Sequence, residues 1–333
     1  MKDFNGVFLK MNDNIKKVIV TGGSGFIGTN CVQMLLNQKY DVLNLDIKKP
    51  LQKDHTKFYY HIDIKDKKKL ENKLLEFDPD YIIHLAGETG MEYLEPNFYD
   101  GNYISAQNIC DISQKLTSLK KVVFTSSLLV CRNGYIPISD HDFCPPNGYG
   151  HSKALSEIII RKSDIKVPWD IVRPTSIWGP WFSGGYALFF KLVSKGLFFN
   201  PRIDPIIKPT CYVGNTVYMI HQILLSEGSN RVFYLADYPQ TSVQEWANLI
   251  YKNTNHKKDL RTFPVFILRL FAKVGDFLSL IGLSAPLTSS RLNNMLVSKE
   301  YPTSNTQEIV GELPFNREKS VIETIKWMND QSY

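Results

Sequence analysis

The residues best suited to chemistry sit in the middle of the chain. Tyr149 and Lys153, in YGHSK, stand at i and i+4 and share one helix face. Ser127 lies upstream, at the end of a β-branched run. A phenol with an ordinary pKa of about 10 is a poor base at neutral pH. A neighbouring ammonium favours the phenolate. Ser127 can then hold a reacting hydroxyl while Tyr149 takes its proton. A Tyr-x-x-x-Lys pair by itself reads as a solvated helix face, so its meaning depends on what surrounds it.

What surrounds it begins with a glycine cluster. Val18-Ile19-Val20 runs into Gly22, Gly23, Gly25 and Gly28, and NCVQMLLNQ after it is helical in pattern. Both Gly23-x-Gly25-x-x-Gly28 and Gly22-x-x-Gly25-x-x-Gly28 fit a dinucleotide fingerprint. Such a turn lets backbone approach a pyrophosphate, and the following helix presents free N–H groups to it. Asp46 ends the next strand, 18 residues past Gly28, where a carboxylate bonds ribose hydroxyls and repels a 2′-phosphate. Lys48 and Lys49 partly offset that repulsion. NAD is therefore the expected cofactor, with NADP the alternative. A nicotinamide cation would add to the pull on the Tyr149 proton.

The positioning elements alternate. Strands are expected at 17–20, 41–45, 58–62, 81–85, 121–126 and 170–173, with helices to about 38 and over 66–76, 97–116 and 149–162. This order predicts an α/β fold, a doubly wound parallel sheet of Rossmann type. Ligands then lie at the carboxyl ends of the strands. Asp63-Ile64, Leu85-Ala86-Gly87 and Thr125-Ser126-Ser127 occupy such ends. Asp63 suits an adenine amino group, and 85–87 are small enough to let backbone approach a cofactor.

Past Arg173 the pattern loosens. Helices are expected at 187–195, 244–251 and 320–328, and a strand at 231–235. Arg202 and Lys208, in a proline-rich stretch, are candidate cations for an anionic ligand. Trp181 and Phe182 suit either stacking on a base or sugar or core packing. The apolar stretch 263–283 carries Arg269, Lys273 and Asp276, so it reads as an amphipathic helix rather than a span. Ile267, Leu270, Phe271, Val274, Phe277, Leu278 and Ile281 are its expected packed face, and a membrane-surface or partner contact is the alternative. The chain thus divides into an irregular tail at 1–15, with Met11 a second candidate start, a dinucleotide domain at 16–175 and a looser mixed stretch over 176–333.

Bulk composition is that of an ordinary globular chain. The 333 residues are 43% hydrophobic and 22% charged, with a net charge of +6 spread along the chain. The run KDKKK at 65–69 reads as a solvated helix start rather than a nucleic-acid patch. Five cysteines without a CxxC pair point to reduced thiols and to neither a disulfide frame nor a metal site. With no signal peptide or transmembrane segment in view, a cytoplasmic location is expected.

Taken together, TGGSGFIG (21–28), Asp46, HIDIKD (61–66), HLAG (84–87), Asn102, FTSSLLV (124–130), YGHSK (149–153) and RPTSIWGP (173–180) resemble an extended short-chain dehydrogenase/reductase of the nucleotide-sugar epimerase/dehydratase group. Weaker matches at 211–217 and 313–328 extend the resemblance over about 16–329. It implies that Phe26, Ile27, Asn102 and Pro174 join the cofactor site, with Ser127, Tyr149 and Lys153 catalytic. It implies that about 211–240 returns to the dinucleotide domain, that the smaller mixed lobe over 176–333 binds a nucleoside diphosphate sugar under a lid helix at 264–283 with Arg202 and Lys208 as candidate diphosphate ligands, and that homodimers form through helices 97–116 and 149–162. Ser176 and Asn215 fall at substrate positions that carry asparagine and aspartate elsewhere in the group. Leu128-Leu129 occupy the positions where dehydratases carry acids, which argues against a 4,6-dehydratase. The implied activity is C4 epimerisation through a 4-keto sugar. A 4-ketoreductase or sugar dehydrogenase with the same site is the nearest alternative, ahead of a hydroxysteroid-type dehydrogenase or a non-catalytic NAD-binding protein.

Overall fold

The computed structural model describes residues 15–90, 93–254, 256, 258–283, 285 and 287–331. All but the last residue of the expected tail lies outside them. The first half contains β1 (Lys17–Thr21), α1 (Phe26–Asn37), β2 (Asp41–Asp46), β3 (Tyr59–His61), α2 (Lys67–Phe77), β4 (Tyr81–His84), α3 (Asp100–Ser113), β5 (Lys121–Thr125), α4 (Gly148–Lys162) and β6 (Trp169–Pro174). The second contains β7 (Ser176–Trp178), α5 (Gly184–Ser194), β8 (Asn200–Arg202), β9 (Thr210–Tyr212), α6 (Val213–Leu225), β10 (Arg231–Leu235), α7 (Val243–Lys252), β11 (Thr262–Pro264), α8 (Val265–Leu280), α9 (Ser289–Leu296), α10 (Ser304–Val310) and α11 (Arg317–Asp330).

Seven strands form one parallel sheet in the order β10-β6-β5-β4-β1-β2-β3. Alternation along each strand divides the core in two. Val18 and Val20 of β1 face the α1–α6 side with Val123, Val172 and Phe233. Ile19 faces the opposite layer with Ile82, Val122, Phe124 and Ile171, against α2, α3 and α4. This is the Rossmann doubly wound α/β fold, and its strand order reverses between β1 and β4. Ligand crevices open at that switch point, past the carboxyl ends of the strands.

The other strands form two short parallel pairs, β7 with β9 and β8 with β11. They belong to a smaller α-plus-β region with an aromatic core of Trp178, Phe182, Phe190, Tyr212 and Trp246. Phe182 is thus core, while Trp181 packs on Trp327 at 5.7 Å between ring centroids.

Helix α8 forms, but its inward face differs from the expected one. Leu268, Ala272 and Gly275 are its buried residues. Leu270, Phe271, Val274, Phe277 and Ile281 are exposed. Gly275 explains the difference. A Cβ there would collide with the Leu287 carbonyl oxygen, so α8 backbone is seated against the segment before α9. Small residues select this face by close approach, which a pattern of large side chains does not reveal. Among the described residues no helix is long and apolar enough to cross a membrane.

Candidate active site

The glycine loop joins β1 to α1. Gly22 has φ +71°, and a Cβ on it would sit 2.6 Å from the Ala86 backbone past β4. A Cβ on Gly28 would meet the Gly22 carbonyl oxygen. The loop, β4 end and first turn of α1 therefore form a cradle that side chains would fill. Gly25 caps α1, followed by Phe26, Ile27 and Gly28, whose amides form the helix's first turn. Asp46 stands beside the cradle at the end of β2. Its carboxylate accepts from the Ser24 amide at 3.0 Å and the Lys48 amide at 2.8 Å. These residues fit a dinucleotide, with the pyrophosphate over the helix N-terminus and ribose at Asp46.

The rest of the expected rim lies along neighbouring strand ends. Asp63 is exposed just past β3, and its carboxylate accepts from the Lys65 amide at 2.9 Å. The Ile64 carbonyl accepts from Asn108 at 2.9 Å. Leu85 and Ala86 donate to the Thr21 carbonyl and hydroxyl, tying the β4 end to β1. Gly87 follows, next to the Asn102 amide and the Lys153 ammonium. Asn102 is buried and spends its side chain on structure: it accepts from the Glu88 amide at 2.8 Å and donates to Ser152 at 2.8 Å. It shapes the rim by fixing the loop after β4 to α4. Pro174 is buried at the end of β6.

Ser127, Tyr149 and Lys153 come together at the ends of β5 and α4. Asn147 caps α4 by accepting from the Gly150 amide at 2.9 Å, which puts Tyr149 in the first turn. A Cβ on Gly150 would strike the Leu129 carbonyl oxygen, so the helix start presses on the turn that carries Ser127. The Ser127 hydroxyl lies beside the Tyr149 phenol and favours its ionised form. Lys153 donates to the Thr125 carbonyl at 3.0 Å. Burial raises the phenol's pKa, and the Ser127 hydroxyl only partly opposes it. Burial lowers Lys153 to about 8. The site thus holds a neutral phenol that needs added positive charge to act as a base. Leu128 is buried beside it, with no acid in the turn 128–130.

Three supporting residues escaped the sequence reading. Glu157 is fully buried one turn after Lys153 and accepts from Ser126 at 2.5 Å and from Arg173. Arg173 also donates to the Tyr234 hydroxyl at 2.7 Å. His84, in HLAG, bridges the Thr21 and Ser105 hydroxyls at 2.8 and 3.2 Å. Burial and then Lys153 drive its pKa down to about 3, so it is a neutral strut. HLAG and RPTSIWGP contain His84 and Arg173, while Glu157 lies four residues past YGHSK, and their partners lie on distant elements.

The substrate candidates separate. Ser176 opens β7 and is hydrogen-bonded to Tyr186. Arg202 is exposed on β8, over a shallow depression shared with Ser242, Gln244 and Asn248. Lys208 donates to the Asn294 carbonyl of α9 at 2.5 Å. Burial, with Lys299 beside it, lowers Lys208 to about 8, and burial lowers Lys299 to the same value. Lys299 is a second cation that sequence spacing did not connect. Asn215 is buried, donates to Asp237 and the Phe315 carbonyl, and accepts from the Phe315 amide. Its amide is committed to the fold.

Known proteins are similar to this chain in sequence or in fold. An N-acetyl-alpha-D-glucosaminyl-diphospho-ditrans,octacis-undecaprenol 4-epimerase of Escherichia coli O157:H7 is 26% identical over 329 residues, covering 95% of this chain and 96% of the relative. The Thermotoga maritima UDP-glucose 4-epimerase structure with UDP-glucose superposes with a TM-score of 0.72 at 19% identity, covering 95% of this chain and all of the other. The Bordetella bronchiseptica enzyme WbmG with NAD and UDP superposes at 0.71 and 17% identity, covering 96% of each. A family model for the NAD dependent epimerase/dehydratase family matches residues 18–193. With that match over the glycine cradle and the Ser127–Tyr149–Lys153 cluster, the chain belongs to the NAD-dependent epimerase/dehydratase family.

Proposed function

We propose that the protein epimerises C4 of a sugar carried on a diphosphate, using NAD. The observation that carries this is the meeting of Ser127, Tyr149 and Lys153 beside the glycine cradle. NAD, when bound, supplies an acceptor and later a donor for the C4 hydride. Asp46 favours it over NADP by occupying the ribose position with a carboxylate. Ser127 holds the C4 hydroxyl, and Tyr149 removes its proton and later returns one. Lys153 supplies positive charge one helical turn away, which lowers the energy of the phenolate. With Leu128 and Leu129 in the turn after Ser127, no side chain there expels a neighbouring hydroxyl, so the 4-keto sugar turns over and is reduced on its other face.

Lys208 and Lys299 are the candidate ligands of the diphosphate, because a bound dianion offsets the burial that lowers both. Ser176 is the candidate contact to the sugar, and Arg202 an outer one. Homodimers would pair through α3 and α4. The nucleoside diphosphate sugar is the first substrate class. The relative matched over nearly its whole length motivates a second, a sugar on a polyprenyl diphosphate.

The test is cofactor stoichiometry. Purified protein incubated with UDP-N-acetylglucosamine or UDP-glucose should yield the 4-epimer by NMR with no reductant added. Consumption of one reduced cofactor per product would identify a ketoreductase instead.

A further inference from the structure

Helix α8 carries an exposed apolar face that the proposed chemistry does not use. Phe266, Leu270, Val274, Phe277 and Ile281 recur at helical spacing, and their exposures run from 54% to 72%. Arg269 and Lys273 flank this stripe at i and i+4, both exposed. The opposite face, Leu268, Ala272 and Gly275, is packed on α9 and the segment before it. Cations beside large apolar groups are the pattern of a helix lying in a bilayer interface, where long basic side chains reach the headgroups.

Charge argues for the same occupant. Over 261–299 five basic residues, Arg261, Arg269, Lys273, Arg291 and Lys299, accompany one acid, Asp276. Asp276 already accepts from the Ser289 amide at 2.9 Å. A second copy of the chain, packed two-fold on this face, would set the same cationic segment against itself. An anionic lipid surface complements it.

The position of the helix links this face to the substrate. Behind α8, α9 offers the Asn294 carbonyl to Lys208, one of the two half-buried cations proposed for the diphosphate. A lipid-linked diphosphate also stands one layer away from its bilayer.

We infer that the outward face of α8 docks on an anionic bilayer, so that the site behind it meets a diphospho-sugar held in that membrane; this last step rests on the function proposed above. Flotation of the full-length protein with phosphatidylcholine vesicles, with and without phosphatidylglycerol, tests the docking. The protein should float with the anionic vesicles and lose most binding at high salt. Phe266→Ser/Phe277→Ser should abolish flotation, and Arg269→Glu/Lys273→Glu should weaken it by about tenfold or more. Circular dichroism and NAD content should stay as in the parent. Protein that stays off anionic vesicles at low salt, or variants that float like the parent, would overturn docking. So would a concentration-dependent dimer lost in the double Ser variant without vesicle binding. Epimerisation of N-acetylglucosamine on UDP or on a detergent-solubilised polyprenyl diphosphate, measured in the same samples without a bilayer, separates the two readings. Its absence with flotation intact defeats the proposed reaction, and its presence without flotation defeats the docking.

Discussion

Glu157 grips Arg173 through both carboxylate oxygens, at 2.9 and 2.8 Å, and neither side chain reaches solvent. The pair lies directly behind the Ser127–Tyr149–Lys153 cluster, because Glu157 also accepts from Ser126 and sits one turn past Lys153 on α4. Breaking a buried pair strands a charge, whereas replacing both partners does not. Glu157→Leu should therefore lose about 3–5 kcal/mol of stability. Glu157→Leu/Arg173→Met should lose much less. Urea unfolding of both variants checks this, and equal losses would mean the pair is not the main term.

Tyr149→Phe removes the proton acceptor and leaves the cradle untouched. The expected result is a fall in kcat of about 10²–10⁴-fold with NAD still bound. A variant near parental turnover would reassign the base.

The NAD-free protein should show a particular alkaline stability. Burial holds Lys153 at about 8 in the folded chain, below its ordinary 10.5. Under pH 8 folded and unfolded chains both carry the ammonium, and the folded one bears its full burial cost. Between these values the unfolded chain binds more protons, so this group's contribution rises with pH. Lys153→Met removes that dependence. The unfolding free energy of parent minus variant should grow by about 1–3 kcal/mol from pH 7.5 to 10. A flat difference would show that Lys153 keeps an ordinary pKa.

Gly22→Ala should damage both fold and binding. A side chain there faces a left-handed backbone and the Ala86 backbone 2.6 Å away. Strain of this kind costs about 1–3 kcal/mol. The midpoint of thermal unfolding should drop, and calorimetry should show NAD affinity reduced by tenfold or more.

Asp46→Ala frees the Ser24 and Lys48 amides and removes the charge beside Lys48 and Lys49. NAD affinity should fall while NADP affinity rises. Unchanged selectivity in competition binding would place the ribose elsewhere.

The parts of this molecule that local spacing encodes were readable in advance. The strands of the main sheet carry β-branched runs, the turn after β1 is spelled in glycine, and Tyr149 and Lys153 are helix neighbours. What could not be read depends on approach between distant segments. Glu157 and Arg173 are ordinary charges until α4 lies against β6. Lys208 and Lys299 are 91 positions apart in the chain. The expected inward face of α8 was wrong because Gly275 contributes no hydrophobic signal, yet it decides how close the backbone comes. Asn102 is expected in the cofactor site, but its amide is consumed in anchoring the loop after β4.

The seventh strand, β10, comes 57 residues after β6 has ended, and it is β6 that it pairs with. This delay has a consequence during synthesis on the ribosome. Until residue 235 has emerged, β6 is an open edge, and Arg173 lacks the Tyr234 hydroxyl that completes its enclosure. The stretch covered by the family model ends earlier, at residue 193. A chain released there would expose a sticky strand edge beside a half-satisfied guanidinium, the kind of surface that draws chaperones and proteases. Late arrival of β10 thus means that only a chain translated well past Ser127, Tyr149 and Lys153 can close the sheet that supports them.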